Sequence, residues 1–199
     1  MSSSLVMASG SQARQQMLNA AGISFTIDKP MIDEVAIKSG LQSEGYAADE
    51  IADALAEAKA RKISNRHPEA LVIGSDQTLS FGGQLLSKPS DKEDAISQLM
   101  ALSGKTHDLY AAAVLYRAGE PQWRLTKRCR MTMRRLSEGY IHDYCDRNFD
   151  EIRHCVGGYQ IEAEGSRLFA RVEADQFSIM GLPLIELLNH LTLIGAIDG

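Results

Sequence analysis

Hydrophobic positions along the chain follow two periods, one typical of helices and one typical of strands. Apolar residues three and four apart predict helices over residues 12–21, 47–64, 91–102, 137–145 and 184–193. Short apolar or alternating runs predict strands over residues 5–8, 23–28, 71–73, 109–116, 122–133 and 167–172. Because helices and strands are interleaved, the pattern predicts an α/β fold: a mixed, twisted sheet with flanking helices.

Turn-forming residues punctuate this pattern. Gly82 and Gly83 predict a hairpin over residues 78–86. Residues 31–45 carry mixed charge and two glycines, which predicts a loop. Ser11 and Ser90 precede predicted helices and are expected to cap them.

The helix predicted over residues 47–64 carries the clearest signal. It is rich in alanine, with acids near its start and bases near its end, as the helix dipole favours. Lys59 comes four residues after Leu55, so it flanks the apolar stripe.

Composition restricts the possible functions. The 199 residues are enough for one domain, or for two lobes around a cleft. A net charge of −5 argues against non-specific binding to nucleic acid or to an anionic membrane. Arg124, Arg128 and Arg130 alternate with apolar residues, so they are expected on the outer face of a strand rather than in a nucleic-acid patch.

The three cysteines and the apolar segments bear on location. An odd number of cysteines without metal-type spacing favours free thiols in a reducing compartment. No apolar segment is long enough to span a bilayer, and the N-terminal residues do not resemble a secretory signal. A cytoplasmic protein without membrane contact is therefore expected.

Asp76 is the first candidate for chemistry. It follows the apolar run 71–73 and two small residues, and ligand clefts in open α/β sheets lie outside the carboxyl ends of such strands. A carboxylate there can hold a metal or take a proton from water. With Lys88 twelve residues later and Asp33-Glu34 upstream, it suggests a site for a charged, phosphorylated ligand.

A strand, a Ser-Gly-Ser turn and a helix follow one another over residues 5–21. Free N–H groups at the start of a helix suit a phosphate. The unit lacks the P-loop pattern, so Walker-type phosphoryl transfer is not expected. The simpler alternative is that Ser9 and Ser11 only cap the helix.

Eight short motifs occur in an order typical of one family. They are Ala8-Ser9-Gly10-Ser11-x-x-Arg14, Asp33-Glu34, Ala58-Lys59-Ala60, Gly74-Ser75-Asp76, Lys88-Pro89, Ser103-Gly104-x-x-His107, Gly157-Gly158-Tyr159-x-x-Glu162 and Gly181-Leu182-Pro183. Over nearly its whole length the chain resembles the Maf family of nucleoside triphosphate pyrophosphatases.

The resemblance implies a fold related to the inosine triphosphate pyrophosphatases, formed by residues 1–199 as one domain with two lobes around a nucleotide cleft. It implies a cytoplasmic, often dimeric enzyme. The implied reaction converts a nucleoside triphosphate and water to the monophosphate and pyrophosphate, with a divalent cation, Mg²⁺ or Mn²⁺.

The resemblance also implies roles for individual residues. Those assigned to the triphosphate are Ser9, Ser11 and Arg14 in the phosphate-binding loop and Lys59 and Lys88 in a polyphosphate clamp. Glu34 is implied as a ligand of metal or water. Asp76 is implied as the proton acceptor and as a second metal ligand, and the residues alone leave open whether it serves as base, ligand or both.

Departures from the usual family pattern concern the base. Gln77 and Glu162 are expected to face it, and both resemble the subgroup that acts on 7-methyl-GTP. That subgroup usually has a large aromatic residue where this chain has Ala13, which indicates a roomier pocket or another substrate.

Two alternatives remain open at this point. One is a nucleotide-binding regulator without hydrolysis, because members of the family are linked to septum formation and to arrest of cell division. The other is a phosphatase for another phosphorylated metabolite, which would release orthophosphate directly.

Overall fold

The computed structural model describes residues 4–198, so residues 1–3 and 199 of the predicted domain lie outside it. Its elements in chain order are β1 (Leu5–Ala8), α1 (Gln12–Ala20), β2 (Thr26–Ile27), α2 (Glu34–Ser43), α3 (Ala48–Ser64), β3 (Leu71–Phe81), β4 (Gln84–Leu86), α4 (Lys92–Leu102), β5 (Thr106–Arg117), β6 (Glu120–Met133), α5 (Glu138–Ile152), a 3₁₀ turn (Glu164–Leu168), β7 (Phe169–Glu173), α6 (Gln176–Ile179) and α7 (Leu184–Leu193).

The strands form one mixed sheet in the order β2-β1-β3-β5-β6-β7, with β4 paired to β3. β1 is parallel to β2 and β3, and the other pairs are antiparallel. The predicted α/β class with a mixed sheet is confirmed. The division into two lobes stays a prediction.

Alternating side chains of the central strands cover both faces of the sheet. Leu5 and Met7 of β1 pack towards α1 and α7. Val6, between them, packs towards the alanine-rich face of α3. Further along the sheet, α4 and α5 cover the outer halves of β5 and β6. None of the helices formed by residues 4–198 is both long and apolar enough to cross a membrane.

Most predicted elements are present close to their predicted bounds. This holds for β1, α1, α3, α4, β5, β6 and α7, and for the hairpin between β3 and β4. Gly82 and Gly83 both have positive φ, as a two-residue hairpin turn requires.

Two predictions upstream of α3 are wrong. Residues 34–43, predicted as loop, form α2, which begins where the Asp33 carboxylate accepts from the backbone N–H of Ala36. Helix α2 has no buried residue, so it shows no core-facing stripe from which a helix can be predicted. The strand predicted over residues 23–28 shrinks to β2, because only Thr26 and Ile27 pair with β1.

The surroundings of Asp76 also differ from the prediction. The strand does not stop at Ile73: β3 continues to Phe81 along β5, and Asp76 lies mid-strand opposite Ala112. β1, however, ends at Ala8 opposite Gly74. Asp76 therefore still lies just beyond the carboxyl end of the parallel strand β1, where a cleft is expected.

Three predicted element boundaries differ from those of the structure. Asp91 rather than Ser90 caps α4, and its side chain accepts from Asp94 N–H. Helix α5 continues from the capping Ser137 to Ile152, well beyond the predicted end at residue 145. β7 starts only at Phe169, because a 3₁₀ turn occupies the first part of the predicted strand.

Gly74 allows α3 to lie unusually close to β3. A Cβ at this position would lie 2.2 Å from the carbonyl oxygen of Ala56 and 2.8 Å from the backbone nitrogen of Ala60. Gly74 of β3 and the alanines of α3 thus allow the backbone of the helix to pack directly against the strand. Lys59, next to Ala60, is carried to the level of Asp76.

Replacing Gly74 by alanine is expected to lower the free energy of unfolding by about 2 kcal/mol or more, because the new methyl group overlaps helix backbone that cannot move alone. Gly139→Ala in α5 is the matched control, since a methyl group added there would meet no neighbouring element within 4 Å. Urea denaturation measures both. Equal stability of the two variants would contradict the close approach of α3 to β3.

Candidate active site

A cavity of about 700 Å³ opens between the start of α1, helices α2 and α3, strand β3 and the chain that follows α5. All candidate residues chosen from the sequence line it: Ser9, Ser11, Ala13, Arg14, Glu34, Lys59, Asp76, Gln77, Lys88 and Glu162. The fold therefore brings together residues from segments far apart in sequence.

Lys59 is the centre of the polar wall. Its ammonium group lies 2.8 Å from Asp76 Oδ1 and 3.0 Å from Glu34 Oε1. Lys59 is buried, the Asp76 side chain is 13% exposed and the Glu34 side chain is 49% exposed. The two carboxylates thus converge on one point, Asp76 from the sheet and Glu34 from the solvent side.

These carboxylates also determine what metal site is feasible. Within residues 4–198 there is no group of three or more His, Cys, Asp or Glu side chains placed to hold a metal ion. Mg²⁺ is commonly bound by one or two carboxylates together with water and substrate phosphates. Glu34 and Asp76 fit that kind of site and do not fit a cage made by protein alone.

Ser11 and Ser9 shape the turn before α1. The Ser11 hydroxyl caps the helix by accepting from Arg14 N–H, as expected from the sequence. The Ser9 hydroxyl accepts from Ser11 N–H at 3.2 Å and from the Arg14 guanidinium at 3.3 Å. The start of α1, with its backbone N–H groups, therefore faces the cavity in a fixed orientation.

Arg14 is buried, and its guanidinium is bonded mainly to backbone. Its Nε donates to Gly181 O and its Nη1 to Ser75 O, each at 2.8 Å. Burial lowers the pKa of Arg14, while the charges of Asp76 and Glu34 act in the opposite direction. Arg14 lines the cavity, but the hydrogen bonds show that it holds the walls together.

The motif Gly181-Leu182-Pro183 has a structural role, which depends on Gly181. Its carbonyl accepts from Arg14 and also from the Ser75 hydroxyl at 2.9 Å. Its φ of 99° favours glycine, and a Cβ there would lie 3.1 Å from Arg14 Nη2. The Gly-Leu-Pro segment before α7 is thus tied to both β3 and α1.

Gln77 is also held by backbone. Its amide nitrogen donates to Ser178 O at 3.2 Å and to Ile179 O at 2.9 Å. Helix α6, which carries these carbonyls, is itself anchored where Lys127 binds Asp175 at 2.7 Å. Gln77 therefore forms part of the cavity wall with its amide nitrogen already bonded.

The opposite wall comes from the end of α5 and the chain after it. The half-buried thiol of Cys155 has a raised pKa, to which desolvation contributes most; Glu162 and Glu151 also raise it and Lys88 lowers it. Lys88 and Glu162 therefore lie near the same cysteine. Asp150 and Glu151, in the last turn of α5, also line the cavity, as does His154. Sequence reasoning missed the two acids because the predicted helix stopped short of them.

Comparison with known proteins decides the family. A family model described as Maf-like protein matches residues 4–194. A nucleoside triphosphate pyrophosphatase of Ruegeria pomeroyi is 50% identical over 194 residues, which are 98% of each chain. A 7-methyl-GTP pyrophosphatase of Mesorhizobium japonicum is 45% identical over the full length of both chains. The chain belongs to the Maf-like family.

Solved structures give a more distant likeness. A dITP/XTP pyrophosphatase from Mycobacterium abscessus matches 98% of each chain with a TM-score of 0.46 and 12% identity. That likeness is too remote to support a conclusion.

The arginine- and lysine-rich strand β6 of this Maf-like protein is largely neutralised. Arg124 binds Asp53 and Glu57 of α3 at 2.7 and 2.9 Å. Arg128 binds Asp108 through two nitrogens. These pairs agree with the expectation that the basic residues of β6 lie on an outer strand face.

Tyr159 forms part of the cavity wall and is fixed from behind by His107. The Tyr159 hydroxyl and His107 Nε2 are 2.7 Å apart, and both side chains are buried. The Tyr159 ring also meets Phe169 edge-on, with centroids 4.8 Å apart. Burial lowers the pKa of His107 from 6.5 to about 4, so this Maf-like protein keeps the imidazole neutral at pH 7.

This depressed pKa predicts a pH dependence of stability. Between pH 6.5 and about 4, His107 is protonated in the unfolded chain but stays neutral in the folded protein. The stabilisation that this difference gives the folded protein is complete above pH 6.5. It is lost as the pH falls, by about 2 kcal/mol between pH 7 and pH 5.

Urea denaturation of the wild type and of His107→Gln at both pH values measures this contribution. His107→Gln is expected to show a shallower fall in the free energy of unfolding, whereas exposed His142→Gln keeps the wild-type fall. Parallel curves for wild type and His107→Gln would contradict a buried neutral imidazole.

Proposed function

We propose that this protein is a nucleoside triphosphate pyrophosphatase. The observation that carries the proposal is the Lys59 ammonium bonded to carboxylates from two elements, Glu34 and Asp76, in a cavity that the start of α1 also faces. A helix start suits phosphate, and paired acids suit the activation of water. The pyrophosphatase names of the relatives support the same activity.

The proposed reaction is attack of water on the α-phosphorus. Asp76 accepts one proton from the water as its oxygen bonds to phosphorus, and the bond from the α-phosphorus to the bridging oxygen of the β-phosphate breaks. The products are a nucleoside monophosphate and pyrophosphate. Lys59 and Lys88 stabilise the negative charge that develops on the departing pyrophosphate.

A divalent metal, Mg²⁺ or Mn²⁺, is part of the proposal. Glu34 and Asp76 would hold it together with substrate oxygens. When bound, such an ion neutralises phosphate charge and lowers the pKa of water. Lys59 would keep both carboxylates directed at the same place.

The base is proposed to lie against the wall formed by the end of α5 and the chain that follows it. Glu162, Asp150 and Glu151 make that wall acidic. A purine that presents N–H donors or a positive charge complements it, and 7-methylguanine does both. Ala13 and the remaining oxygen of Gln77 would contact the nucleotide from the opposite side.

A non-hydrolysing regulator of cell division is the weaker candidate. The acids and lysines that hydrolysis needs lie in one cavity, and the relatives named above are named as pyrophosphatases. A phosphatase for another metabolite would be recognised by direct release of orthophosphate.

The cellular setting is also proposed from the resemblance and the composition. A cytoplasmic location agrees with three free cysteines among the described residues. We also propose that the protein forms a homodimer and binds neither nucleic acid nor membrane.

Asp76→Asn is expected to lower kcat by about a hundredfold or more, because the amide cannot accept the proton from water. The assay measures phosphate after added inorganic pyrophosphatase, over a panel of standard nucleotides and 7-methyl-GTP. Asp53→Asn, which changes a carboxylate bound to Arg124, is the control and should keep the wild-type rate. A near-full rate for Asp76→Asn would contradict the assigned role. Equal signals with and without the coupling enzyme would point to a phosphatase.

Removal of divalent cations by a chelator is expected to abolish turnover and to leave the melting temperature unchanged. The melting temperature should not change because Lys59 compensates the charges of Glu34 and Asp76. Adding Mg²⁺ or Mn²⁺ should restore the rate. Full turnover in excess chelator would show that the carboxylates act without a metal.

A further inference from the structure

Two of the three cations assigned to the triphosphate, Arg14 and Lys59, have little free charge. The Arg14 guanidinium is bonded to two backbone carbonyls, and Lys59 is shared by two carboxylates. Among residues 4–198, Lys88 forms no hydrogen bond or ion pair. A bound triphosphate carries several negative charges, and Lys88 alone does not balance them. A further cation near the cavity would therefore strengthen binding.

Lys38 supplies one beside the cavity. It follows Glu34 by four residues on α2, so both side chains lie on the same face of this helix. Its ammonium donates to the Ser87 hydroxyl at 3.0 Å, and Ser87 directly precedes Lys88. Burial lowers the pKa of Lys38, and the charge of Asp76 opposes that effect.

The present partner of Lys38 is a weak one. No carboxylate of the described chain lies within ion-pair distance of its ammonium, and the serine hydroxyl is neutral. Hydrogen bonds between an ammonium and a charged phosphate oxygen are shorter and stronger than those to a neutral hydroxyl. The Lys38 ammonium would therefore form a stronger hydrogen bond with a phosphate oxygen than it forms with the Ser87 hydroxyl.

Helix α2 is attached in a way that permits this exchange. None of its residues is buried, and its apolar residues Ile37 and Leu41 are only partly covered, so little apolar packing fixes its position. Polar contacts connect it to its surroundings, chiefly those of Glu34 with Lys59 and of Lys38 with Ser87. Lys62 adds a hydrogen bond to Met31 O, just before the helix.

We propose that Lys38 is a further substrate-binding residue, whose ammonium leaves Ser87 and binds the terminal phosphates, closing α2 over the cavity. The proposal rests on the proposed function, because it takes a nucleoside triphosphate as the ligand. Lys38 binds the part of the substrate that becomes pyrophosphate, away from the bond that water attacks. Its loss therefore weakens binding more than it slows the chemical step.

Steady-state kinetics of four variants tests the role of Lys38. Lys38→Met is expected to raise KM for the preferred nucleotide, and the inhibition constant for pyrophosphate, about tenfold, with kcat within about twofold of wild type. Lys38→Arg keeps the charge and should recover most of the affinity. Ser87→Ala should leave KM unchanged or lower, because it frees Lys38. Lys92→Met, which removes a charge paired with Asp146, should have no effect.

Two outcomes would overturn the proposal. If Lys38→Met leaves KM and pyrophosphate inhibition unchanged, the ammonium does not reach the phosphates. If Lys38→Met and Ser87→Ala raise KM equally, the contact between them only supports the fold of the loop.

Calorimetric binding of inorganic pyrophosphate separates this proposal from the proposed function. A wild type that hydrolyses no nucleotide, yet binds pyrophosphate more tightly than Lys38→Met, would refute only the activity. A wild type that hydrolyses nucleotides, and binds pyrophosphate no better than Lys38→Met, would refute only the role of Lys38.

Discussion

The ammonium of Lys59, held between the carboxylates of Glu34 and Asp76, is the interaction on which the site depends. A buried lysine is tolerated only when its charge is compensated, and here two acids from different elements compensate it. The same contacts bring both carboxylates to one place, where they can direct water and a metal at a phosphate. Gly74 makes the arrangement possible, because only a residue without Cβ lets α3 approach β3 closely enough.

A second set of contacts fixes the positions of the cavity walls relative to one another. Arg14 and Ser75 both donate to Gly181 O, so α1, β3 and the segment before α7 meet at one carbonyl. Arg14 stands where the sequence suggests a phosphate ligand, but most of its donors bind protein oxygens. The proposed function therefore assigns recognition of the triphosphate to helix N–H groups, lysines and a metal.

Much of this architecture can be predicted from the sequence, and the failures have physical causes. Helix α3 has an apolar stripe and charges matched to its dipole, so its bounds are predictable. Helix α2 buries nothing, and its cap at Asp33 gives no periodic signal. Strand pairing places Asp76 beyond the end of β1 but within the longer strand β3. Sequence patterns do not reveal this pairing. The motifs identify residues that line the cavity, whereas Asp150 and Glu151 belong to no motif and emerge only when α5 is seen to reach residue 152.

The central claim is that the Glu34–Lys59–Asp76 centre directs water at the α-phosphorus. Hydrolysis in ¹⁸O-labelled water tests it most directly, with mass spectrometry of both products. The account predicts that the label appears in the nucleoside monophosphate and that the released pyrophosphate is unlabelled. Label in pyrophosphate, or labelled orthophosphate released without a coupling enzyme, would contradict it.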